Sequence, residues 1–420
     1  MDSKQIVIIG GGAAGSAAAQ VLHQSELNLE VVVVGAENRL PYNRTTVNKG
    51  LLSGAVSAED IAMPGMDMPG VHWRIGRTAV RLDTADRSVQ LDDGTSIAAD
   101  AILLAPGATP RNLPGSIIGD ASSNRVLSLR NLADTQRLRA MLEDTSRRVL
   151  IAGAGLIGTE TAGILLAAGA DVTLTDPSPL PMQNHLGQTV ARWVAEAHAA
   201  AGADFRTRTA VSAVQTIGNN LQVTLDSGSQ REVDLVLTAF GVTPATQWLA
   251  DAGVRLQDGP RPGAIIVDGH HRVDGVPGVY AAGDAAAAPG PNGIPVRVEH
   301  WGAALSQGRT AATTILNDLG DRPSAPPPAE SPSSYSTYVH GTKLTIVGTA
   351  SGSTREQLVL GEVGAPRFAV SFFDAEDRIT GAVGVGGARA VNRLRPFIAS
   401  GATSSQIDAA GDTAMAGTAL

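Results

Sequence analysis

The chain has 420 residues, of which 43% are hydrophobic and 17% charged, a composition typical of globular proteins with more than one hydrophobic core. Its net charge is −8, and no run of Lys or Arg offers the basic face that nucleic-acid binding requires. The chain contains no cysteine, which excludes disulfides, thiolate nucleophiles and a dithiol relay, so redox chemistry would need a bound cofactor.

Two stretches of the chain repeat the order strand, helix, strand. Each has a short β-branched strand ending in glycine and a helix rich in small residues, as parallel βαβ units do. A hairpin pattern with Asp-Gly or Gly-Asn turns and another apolar strand follow each unit. This duplication predicts two nucleotide-binding domains. The segments are 4–10, 13–24, 29–35, 78–97 and 101–107, then 147–153, 156–169, 171–176, 211–233 and 234–240.

The composition of the chain changes after about residue 320. Residues 320–334 are rich in proline and predict an extended linker. Beyond it, four strand candidates ("KLTIVGTA", "QLVLGEV", "RFAVSFF" and "RITGAVGVG") and a helix near 388–400 predict a third domain. The last twenty residues are small and polar, which predicts a poorly ordered tail. No apolar stretch has the length of a signal sequence or membrane span, so we expect a cytoplasmic protein that does not bind membranes.

The first glycine motif lies between a predicted strand and a predicted helix. Gly10, Gly12 and Gly15 have the spacing GxGxxG, and Glu37 closes the unit. Gly10 permits the tight turn, Gly12 lets a pyrophosphate approach the backbone, and Gly15 allows close helix packing. The helix N-terminus would bind the phosphates. The alternative is a tight strand-to-helix turn without a ligand.

The second glycine motif has the same context. Gly153, Gly155 and Gly158 open the second helix, and Asp176 ends the following strand. Its carboxylate would accept hydrogen bonds from an adenosine ribose and repel a 2′-phosphate, which favours NADH over NADPH. Asp176 could instead be only a turn residue before Pro177.

Two later segments also carry candidate site residues. "GVYAAGDAA" (278–286) predicts a buried strand that delivers Asp284 to the start of an alanine-rich segment. There the carboxylate would cap a helix or bind the hydroxyls of a ribityl chain, and the two upstream motifs favour the second role. "VRVEHWGAALSQGRTAATTIL" (296–316) predicts a long helix with Trp301 at its N-terminus. That indole would face an electron-rich ring or pack in the core.

Arg44 and Lys49 lie in a turn-rich loop, "LPYNRTTVNKGLLSG" (40–54), after the first unit. Near a flavin ring, a lysine ammonium would stabilise the negative charge that develops when the ring accepts hydride. A lysine in a dry pocket also needs an acidic partner, and Glu160, just inside the second glycine helix, is the best placed by sequence. The alternative is a pair of solvated loop cations.

The histidines offer no metal centre by their spacing. His198 lies near the end of an amphipathic helix, which favours a structural role, and His270 and His271 fall in a predicted hairpin. None has the spacing of metal ligands, so we predict no metal site.

Five segments, in this order, resemble the FAD-dependent pyridine nucleotide-disulfide oxidoreductase superfamily. Within it, the chain is similar to the oxygenase-coupled ferredoxin reductases, which include the putidaredoxin, rubredoxin and biphenyl dioxygenase ferredoxin reductases. The resemblance spans residues 4–400, and the combination is more specific than a single glycine motif. The segments are "PYNR....K" (41–49), "LRNLAD" (129–134), "GAGLIGTE" (153–160), "VYAAGD" (279–284) and "RVEHWGAALSQG" (297–308).

The resemblance implies an α/β fold of two Rossmann-like nucleotide-binding domains of the glutathione-reductase type, plus a C-terminal α+β domain. The implied bounds are 1–115 and 241–320 for a discontinuous FAD domain, 116–240 for the NAD domain, 321–334 for the linker, 335–402 for the C-terminal domain and 403–420 for a flexible tail. The implied FAD contacts are Gly10, Gly12, Ala14, Gly15, Glu37, Arg44, Lys49, Val80, Arg130, Asp284 and Trp301. The implied NAD contacts are Gly153, Gly155, Gly158, Glu160 and Asp176. Lys49 and Glu160 would form a catalytic pair beside the flavin ring.

The chain departs from the family pattern in three places. Thr45, Thr46, Val47 and Asn48 replace the usual Pro-Pro-Leu-Ser before the lysine. The usual acidic residue is missing at position 36, although Glu37 follows it. The aromatic WSDQ-type signature expected after the linker is replaced by "YSTYVHG" (335–341), in a region that the family uses close to the flavin and its partner protein.

The resemblance implies a monomeric or homodimeric FAD-dependent NADH oxidoreductase. Hydride would pass from NADH to flavin N5, and single electrons would leave for a ferredoxin-type iron–sulfur protein serving an oxygenase. One alternative is a reductase or oxidase that acts directly on a quinone, a nitro compound or dioxygen, which the altered loop and the missing signature would favour. Another is an NADH-sensing interaction protein resembling apoptosis-inducing factor.

Overall fold

The computed structural model describes residues 3–118, 123–143, 147–259, 261–290, 293–320 and 332–415. Two compact units divide the chain. The first comprises Met1–Thr46, Val56–Pro110 and Val242–Ala329, and the second comprises Val47–Ala55, Arg111–Gly241 and Glu330–Leu420. Their parallel sheets confirm the predicted α/β class. The finer division into three domains with the bounds given above stays a prediction.

The strands alternate with helices in the two predicted βαβ units and follow one another directly in the hairpin regions. In chain order they are β1 (Lys4–Ile9), β2 (Leu29–Gly35), β3 (Val71–Ile75), β4 (Ala79–Asp83), β5 (Ser88–Leu91), β6 (Ser96–Ala98), β7 (Ala101–Leu104), β8 (Ala108–Pro110), β9 (Val126–Ser128), β10 (Arg148–Ala152), β11 (Asp171–Thr175), β12 (Asp204–Arg206), β13 (Val211–Ile217), β14 (Asn220–Leu225), β15 (Gln230–Val233), β16 (Leu235–Thr238), β17 (Val242–Pro244), β18 (Ile265–Ile266), β19 (Val279–Ala281), β20 (Ala286–Pro289), β21 (Pro295–Val296), β22 (Ser334–Val339), β23 (Thr342–Gly348), β24 (Arg355–Leu360), β25 (Phe368–Phe373) and β26 (Ile379–Val385).

The helices range from single turns to a helix of 19 residues. They are α1 (Ala13–His23), α2 (Gly50–Ser53), α3 (Gly115–Ile118), α4 (Leu132–Met141), α5 (Leu156–Ala167), α6 (Gln183–Ala200), α7 (Trp301–Leu319), α8 (Ala388–Ser400) and α9 (Ser404–Met415). Within the described ranges, each of them is too short or too polar to cross a bilayer.

The first unit is built on a parallel sheet in the order β19-β7-β1-β2-β3. All four residues of β7 are buried, as are the last four of β1, which explains their continuous apolar sequence, because helices and loops cover both faces of such a sheet. Gly308 of α7 packs so closely on α1 that a Cβ there would lie 2.1 Å from the carbonyl oxygen of Ala14. This contact joins the two helices through their backbones.

The second unit repeats this sheet in the order β12-β11-β10-β16-β9, again with every pairing parallel. The strand that precedes the glycine loop is central in both sheets, and the strand after the glycine helix is its neighbour. The predicted duplication of the nucleotide-binding topology is therefore confirmed at the level of strand order. The predicted hairpin insertions are also present, as β4-β5-β6 and β13-β14-β15.

The second unit also contains an antiparallel sheet in the order β22-β23-β26-β25-β24, with α8 beside it. Four of its strands match the predicted candidates, and α8 matches the predicted helix. The remaining strand, β22, was missed, although the Tyr, Thr and Val residues of "SYSTYV" favour strands; it pairs with β23. Most of the predicted linker, residues 321–331, lies outside the described residues.

The expectation of a poorly ordered tail is wrong for Ser404–Met415, which forms α9. The Asp377 carboxylate accepts hydrogen bonds from the backbone N–H and the hydroxyl of Ser404 at the start of this helix. Ile407 packs against the apolar cluster under α8. Small polar residues thus form a helix here because tertiary contacts fix its first turns, which a compositional argument does not detect.

A short piece of the first predicted unit folds with the second. Residues 47–55 belong to the second compact unit, where Leu52 joins an apolar cluster with α4 and α5. The Thr135 hydroxyl donates to the carbonyl oxygen of Val47 at 2.9 Å, and Arg139 donates to that of Leu51 at 3.3 Å. Arg44 and Lys49, five positions apart in one loop, therefore lie in different units.

His198 is fully buried on α6, as the structural role predicted for it requires. Its Nδ1 lies 3.0 Å from Nε2 of His340, which follows β22. Burial lowers the pKa of His198 from its ordinary value of 6.5 to about 4, and the neighbouring His340 adds to this effect. The imidazole is therefore neutral in the folded protein near pH 6, where it is largely protonated after unfolding.

We expect this histidine to make the free energy of unfolding depend on pH. Because the folded pKa is depressed, the unfolded chain binds more protons, and stability is lost as pH falls from about 6.5 to about 4, by up to about 3 kcal/mol. The free energy of unfolding is measured with urea at several pH values between 4.5 and 7.5. It should rise more steeply with pH in the parent protein than in His198→Gln. Equal slopes in the two proteins would contradict this assignment.

Candidate functional site

The first glycine loop connects β1 to α1, and its three glycines differ in what surrounds them. Gly10 has φ +112°, and a Cβ on it would lie 2.0 Å from the carbonyl oxygen of Ala105. A Cβ on Gly15 would lie 1.9 Å from the carbonyl oxygen of Gly10. Around Gly12, by contrast, no described atom lies within 4 Å of the Cβ position. The fold itself requires two of the glycines, whereas the third leaves open space.

That open space adjoins the N-terminus of α1, where Gly12 is the N-cap and no described side chain caps the helix. Helix N-terminal N–H groups and the positive end of the helix dipole favour a phosphate there. The loop therefore fits the pyrophosphate of a dinucleotide such as FAD. Ala14, an implied FAD contact, is 5% exposed.

Glu37 lies just after β2 and is already engaged by its neighbours. Its Oε2 accepts a hydrogen bond of 2.6 Å from the Tyr42 hydroxyl, and its Oε1 forms an ion pair with Arg44. The guanidinium of Arg44 lies 5.5 Å from the Tyr42 ring centre. The structure thus brings Glu37 and Arg44 together, and it adds Tyr42, which lies in the "PYNR" segment but is not among the implied FAD contacts.

The second glycine loop connects β10 to α5 and has the same construction. Gly153 has φ +106°, with the Cβ position 2.5 Å from the carbonyl oxygen of Ala239, and the Cβ position of Gly158 is 2.0 Å from the carbonyl oxygen of Gly153. No described atom lies within 4 Å of the Cβ position of Gly155. The space for a second pyrophosphate is therefore left at the middle glycine again.

Asp176 follows β11 and reaches back to this loop. Its Oδ2 accepts a hydrogen bond of 2.8 Å from the backbone N–H of Ala154, and its Oδ1 accepts one of 2.8 Å from Ser178. Asp176 is thus a turn residue, as the alternative held, but its carboxylate also lies beside the glycine loop, where the ribose role requires it. Each oxygen has a lone pair left for a ligand hydroxyl.

We expect Gly155→Ala to weaken NADH binding without loss of FAD. The added methyl group would enter the open space in the second unit, while the Gly155 backbone, with φ −75°, accepts alanine. Overpacking costs about 1–3 kcal/mol, which corresponds to a dissociation constant roughly 5 to 150 times higher. Titration of the purified protein with NADH under anaerobic conditions measures this, and an unchanged affinity would contradict the assignment.

The other implied FAD contacts are distributed over the first and second units. Val80 lies in β4 with 46% exposure. Asp284 lies in a single turn between β19 and β20, so the alanine-rich segment is a strand and the helix-capping alternative for Asp284 is wrong. Trp301 is the first residue of α7, as predicted, and also packs against the apolar core. In the second unit, the backbone N–H of Arg130 donates to Asp134 at 2.9 Å.

His300, the residue before Trp301, caps α7. Its Nδ1 accepts a hydrogen bond of 3.2 Å from the backbone N–H of Gly302. Burial lowers the pKa of His300, although the charge of Asp284 acts in the opposite direction. A neutral imidazole is what this cap requires, because only an unprotonated ring nitrogen accepts a hydrogen bond.

The predicted ion pair between Lys49 and Glu160 is present in the second unit. The ammonium of Lys49 lies 2.7 Å from Oε2 of Glu160, and the side chains are 28% and 3% exposed. Lys49 is the N-cap residue of α2, and Glu160 lies in the second turn of α5. The Lys49 side chain is thus partly accessible to solvent, whereas the Glu160 carboxylate is buried. The catalytic role of the pair stays a prediction.

Three further donors surround the Glu160 carboxylate, and the sequence motifs indicated none of them. The Asn48 amide donates to Oε2 at 2.6 Å. On the other oxygen, Oε1, the Thr337 hydroxyl donates at 2.7 Å and the backbone N–H of Tyr338 at 3.0 Å. With Lys49, each oxygen of this buried carboxylate has two donors. These four hydrogen-bonding contacts fix the orientation of the carboxylate.

Known proteins with similar sequences belong to the superfamily that the five sequence segments resemble. A family model described as pyridine nucleotide-disulphide oxidoreductase matches residues 4–308. The chain is 30% identical over 382 residues to the ferredoxin–NAD(+) reductase component of the p-cumate 2,3-dioxygenase system of Pseudomonas putida. The alignment covers 90% of this chain and 89% of the relative. It is 31% identical over 325 residues to a ferredoxin–NAD(P)(+) reductase of a Sphingomonas species, with 74% of each chain covered.

Among solved structures, the covalent complex of putidaredoxin reductase with putidaredoxin contains a similar chain. It aligns with a TM-score of 0.86 at 25% sequence identity, covering 95% of this chain and 93% of the matched chain. The family match spans both glycine loops, and these relatives cover most of the chain. The superfamily resemblance drawn from the five segments is therefore confirmed. The chain belongs to the pyridine nucleotide-disulphide oxidoreductase family.

Proposed function

We propose that this protein is an FAD-dependent NADH oxidoreductase that reduces a ferredoxin-type iron–sulfur protein of an oxygenase system. The observation that carries the proposal is the pair of glycine loops of equal construction, each following the central strand of a parallel sheet with open space at its middle glycine. Relatives that are similar over most of the chain are named ferredoxin–NAD(+) reductase components of dioxygenase systems, which supports the ferredoxin as acceptor.

Each of the two glycine loops would bind one dinucleotide. The loop at Gly12 would hold the pyrophosphate of FAD, and the loop at Gly155, with Asp176 beside it, would hold that of NADH. A carboxylate at position 176 favours a ribose with free hydroxyls, so NADH is the proposed donor. Bound FAD would supply the chemistry of accepting two electrons together from NADH and releasing them singly.

The protein's own contribution to the chemistry is electrostatic. Lys49 would present an ammonium where negative charge develops during hydride transfer, and such a preorganised charge lowers the barrier without reorganisation. Glu160 would hold that ammonium in place through the 2.7 Å ion pair. Because Glu160 is buried and already has four donors, it would serve as a fixed anchor for the ammonium.

An anaerobic experiment tests the proposal. The purified protein should carry flavin, NADH should bleach it faster than NADPH does, and the reduced protein should then reduce a ferredoxin in a second mixing step. A protein without flavin, or a flavin that NADH does not bleach, would overturn the proposal. Rapid NADH turnover in air with no gain on adding ferredoxins would indicate the direct reductase or oxidase instead. Reduction slower than about one per second, with an NADH-dependent change in assembly, would indicate the sensing protein.

The proposed site of action is the cytoplasm, where NADH is available as the electron donor. Fractionation of the source cells, with the protein followed by antibody, tests this location. Recovery of the protein with a membrane or secreted fraction would contradict it.

A further inference from the structure

Two segments that are far apart in the sequence meet on the carboxylate of Glu160. Asn48 lies 112 positions before Glu160 and Thr337 lies 177 positions after it. They belong to the loop (45–48) and the segment (335–341) in which this chain departs from the pattern of similar reductases. Both replacements supply a neutral hydrogen-bond donor to the same buried group.

The division of these donors between the two oxygens determines how the carboxylate is turned. Thr337 is 2% exposed, on the inward face of β22, and with the next backbone N–H it holds Oε1. This leaves Oε2 for the ammonium of Lys49 and the amide of Asn48. The register of β22 on β23 thus sets the rotation of the carboxylate, and that rotation sets where Lys49 is held.

Burial makes these donors energetically necessary. The Glu160 side chain is 3% exposed, and a buried charge is costly unless it is both paired and hydrogen-bonded. Lys49 alone would leave three of the four lone-pair directions without a donor. Removal of one neutral donor weakens the anchor and leaves the ion pair freer to rotate or to open.

We propose that Asn48 and Thr337 are positioning residues, which fix the Glu160 carboxylate so that the Lys49 ammonium is held in one place. This inference rests on the proposed function, because it gives Lys49 its role in the reaction with NADH. Neither residue acts on the substrate itself. Their effect passes through Glu160 to Lys49, so the position of the lysine is the quantity to measure.

Because the chain has few lysines, chemical labelling can report on the Lys49 amine directly. Only three of the 32 cationic residues are lysines, namely Lys4, Lys49 and Lys343. An amine-acylating reagent followed by peptide mass spectrometry reports the labelling rate of each, with Lys4 and Lys343, both exposed, as internal standards. In the parent protein Lys49 should label more slowly than the other two, because its amine is bound to the buried Glu160, whereas the ion pair of Lys4 with Asp100 lies at the surface.

Two near-isosteric substitutions remove one donor each, Thr337→Val and Asn48→Leu. Since a hydrogen bond to a charged group is worth about 1.5–3 kcal/mol, the labelling rate of Lys49 relative to the standards should rise about tenfold or more. Thr337→Ser, which keeps the hydroxyl, should restore most of the protection. The matched control is Thr345→Val in β23, whose buried hydroxyl has no partner among the described residues; it should leave Lys49 labelling unchanged.

The same variants should slow the limiting rate of flavin reduction by NADH about tenfold, with little change in the NADH concentration that gives half of that rate. Thr337→Ser should recover the rate. Unchanged Lys49 labelling in Thr337→Val and in Asn48→Leu would overturn the positioning role, even in an active enzyme. A flavin-free protein would overturn the proposed function, but the labelling experiment would still decide whether Asn48 and Thr337 hold the ion pair. A reduction rate that falls equally in Thr345→Val would also count against the proposal.

Discussion

Replacing Glu160 with glutamine is expected to lower the free energy of unfolding by about 3 kcal/mol or more. The carboxylate accepts from two donors on each oxygen, so either orientation of an amide places its NH2 group against two donors. The Lys49 ammonium would also lose the charge that neutralises it. Urea unfolding of the parent and the variant measures the difference.

Lys49→Met provides the matched comparison. It leaves the buried Glu160 carboxylate with three neutral donors and no opposite charge, so it should also lower the free energy of unfolding, by about 3 kcal/mol. Stability therefore does not separate the two variants. The effect of Lys49→Met on flavin reduction by NADH should be large, about 100-fold, because a single preorganised charge contact is worth that much in a transition state. FAD content should stay that of the parent. Near-normal reduction by Lys49→Met would refute the role of the ammonium, and parental stability of Glu160→Gln would refute the anchoring by four donors.

Gly12→Ala is expected to fold normally and to lose FAD. No described atom lies within 4 Å of the added methyl group, and the backbone at φ −86° accepts alanine. The methyl group would instead occupy the space assigned to the pyrophosphate, so the dissociation constant for FAD should rise roughly 5 to 150 times. The ratio of flavin to protein after purification, and titration of the flavin-free protein with FAD, measure this loss.

Two other glycines serve as controls. In Gly10→Ala the new methyl group would lie 2.0 Å from the carbonyl oxygen of Ala105, and the residue would keep φ +112°, so this variant should lose both fold and flavin. Gly115→Ala, where no described atom lies within 4 Å of the new Cβ, should change neither. If Gly12→Ala retained full flavin with parental affinity, the open space at Gly12 would not be the pyrophosphate site.

Those features that depend on neighbouring residues were predicted well from the sequence. The βαβ units, the glycine loops and the start of α7 at Trp301 all follow from short-range patterns of apolar residues and glycines. The partnership of Lys49 with Glu160 was also predicted, because a lysine in a dry site requires an acid and few acids lie near the second glycine loop. The assignment of Gly155 and Asp176 to NADH rests on the same local pattern and awaits experiment.

Features that depend on distant parts of the chain were missed. The contact of Thr337 was not foreseen because its partner, Glu160, lies 177 positions away in the sequence and no local pattern links the two. Asn48 gave no signal, since an asparagine in a turn-rich loop ordinarily satisfies local backbone groups. The helix α9 depends on contacts with Asp377 and with the apolar cluster under α8, which composition does not reveal.

The packing of residues 47–55 in the second unit has a practical consequence for protein engineering. Transplanting one continuous nucleotide-binding module between relatives would be the simplest way to exchange cofactor preference. Here a graft of residues 111–241 would carry Glu160 into the recipient and leave behind Lys49, Asn48 and Leu52, which complete its ion pair and its apolar cluster. A working chimera of this protein would therefore have to be assembled from matched segments, with residues 47–55 and β22 taken from the same parent as α5.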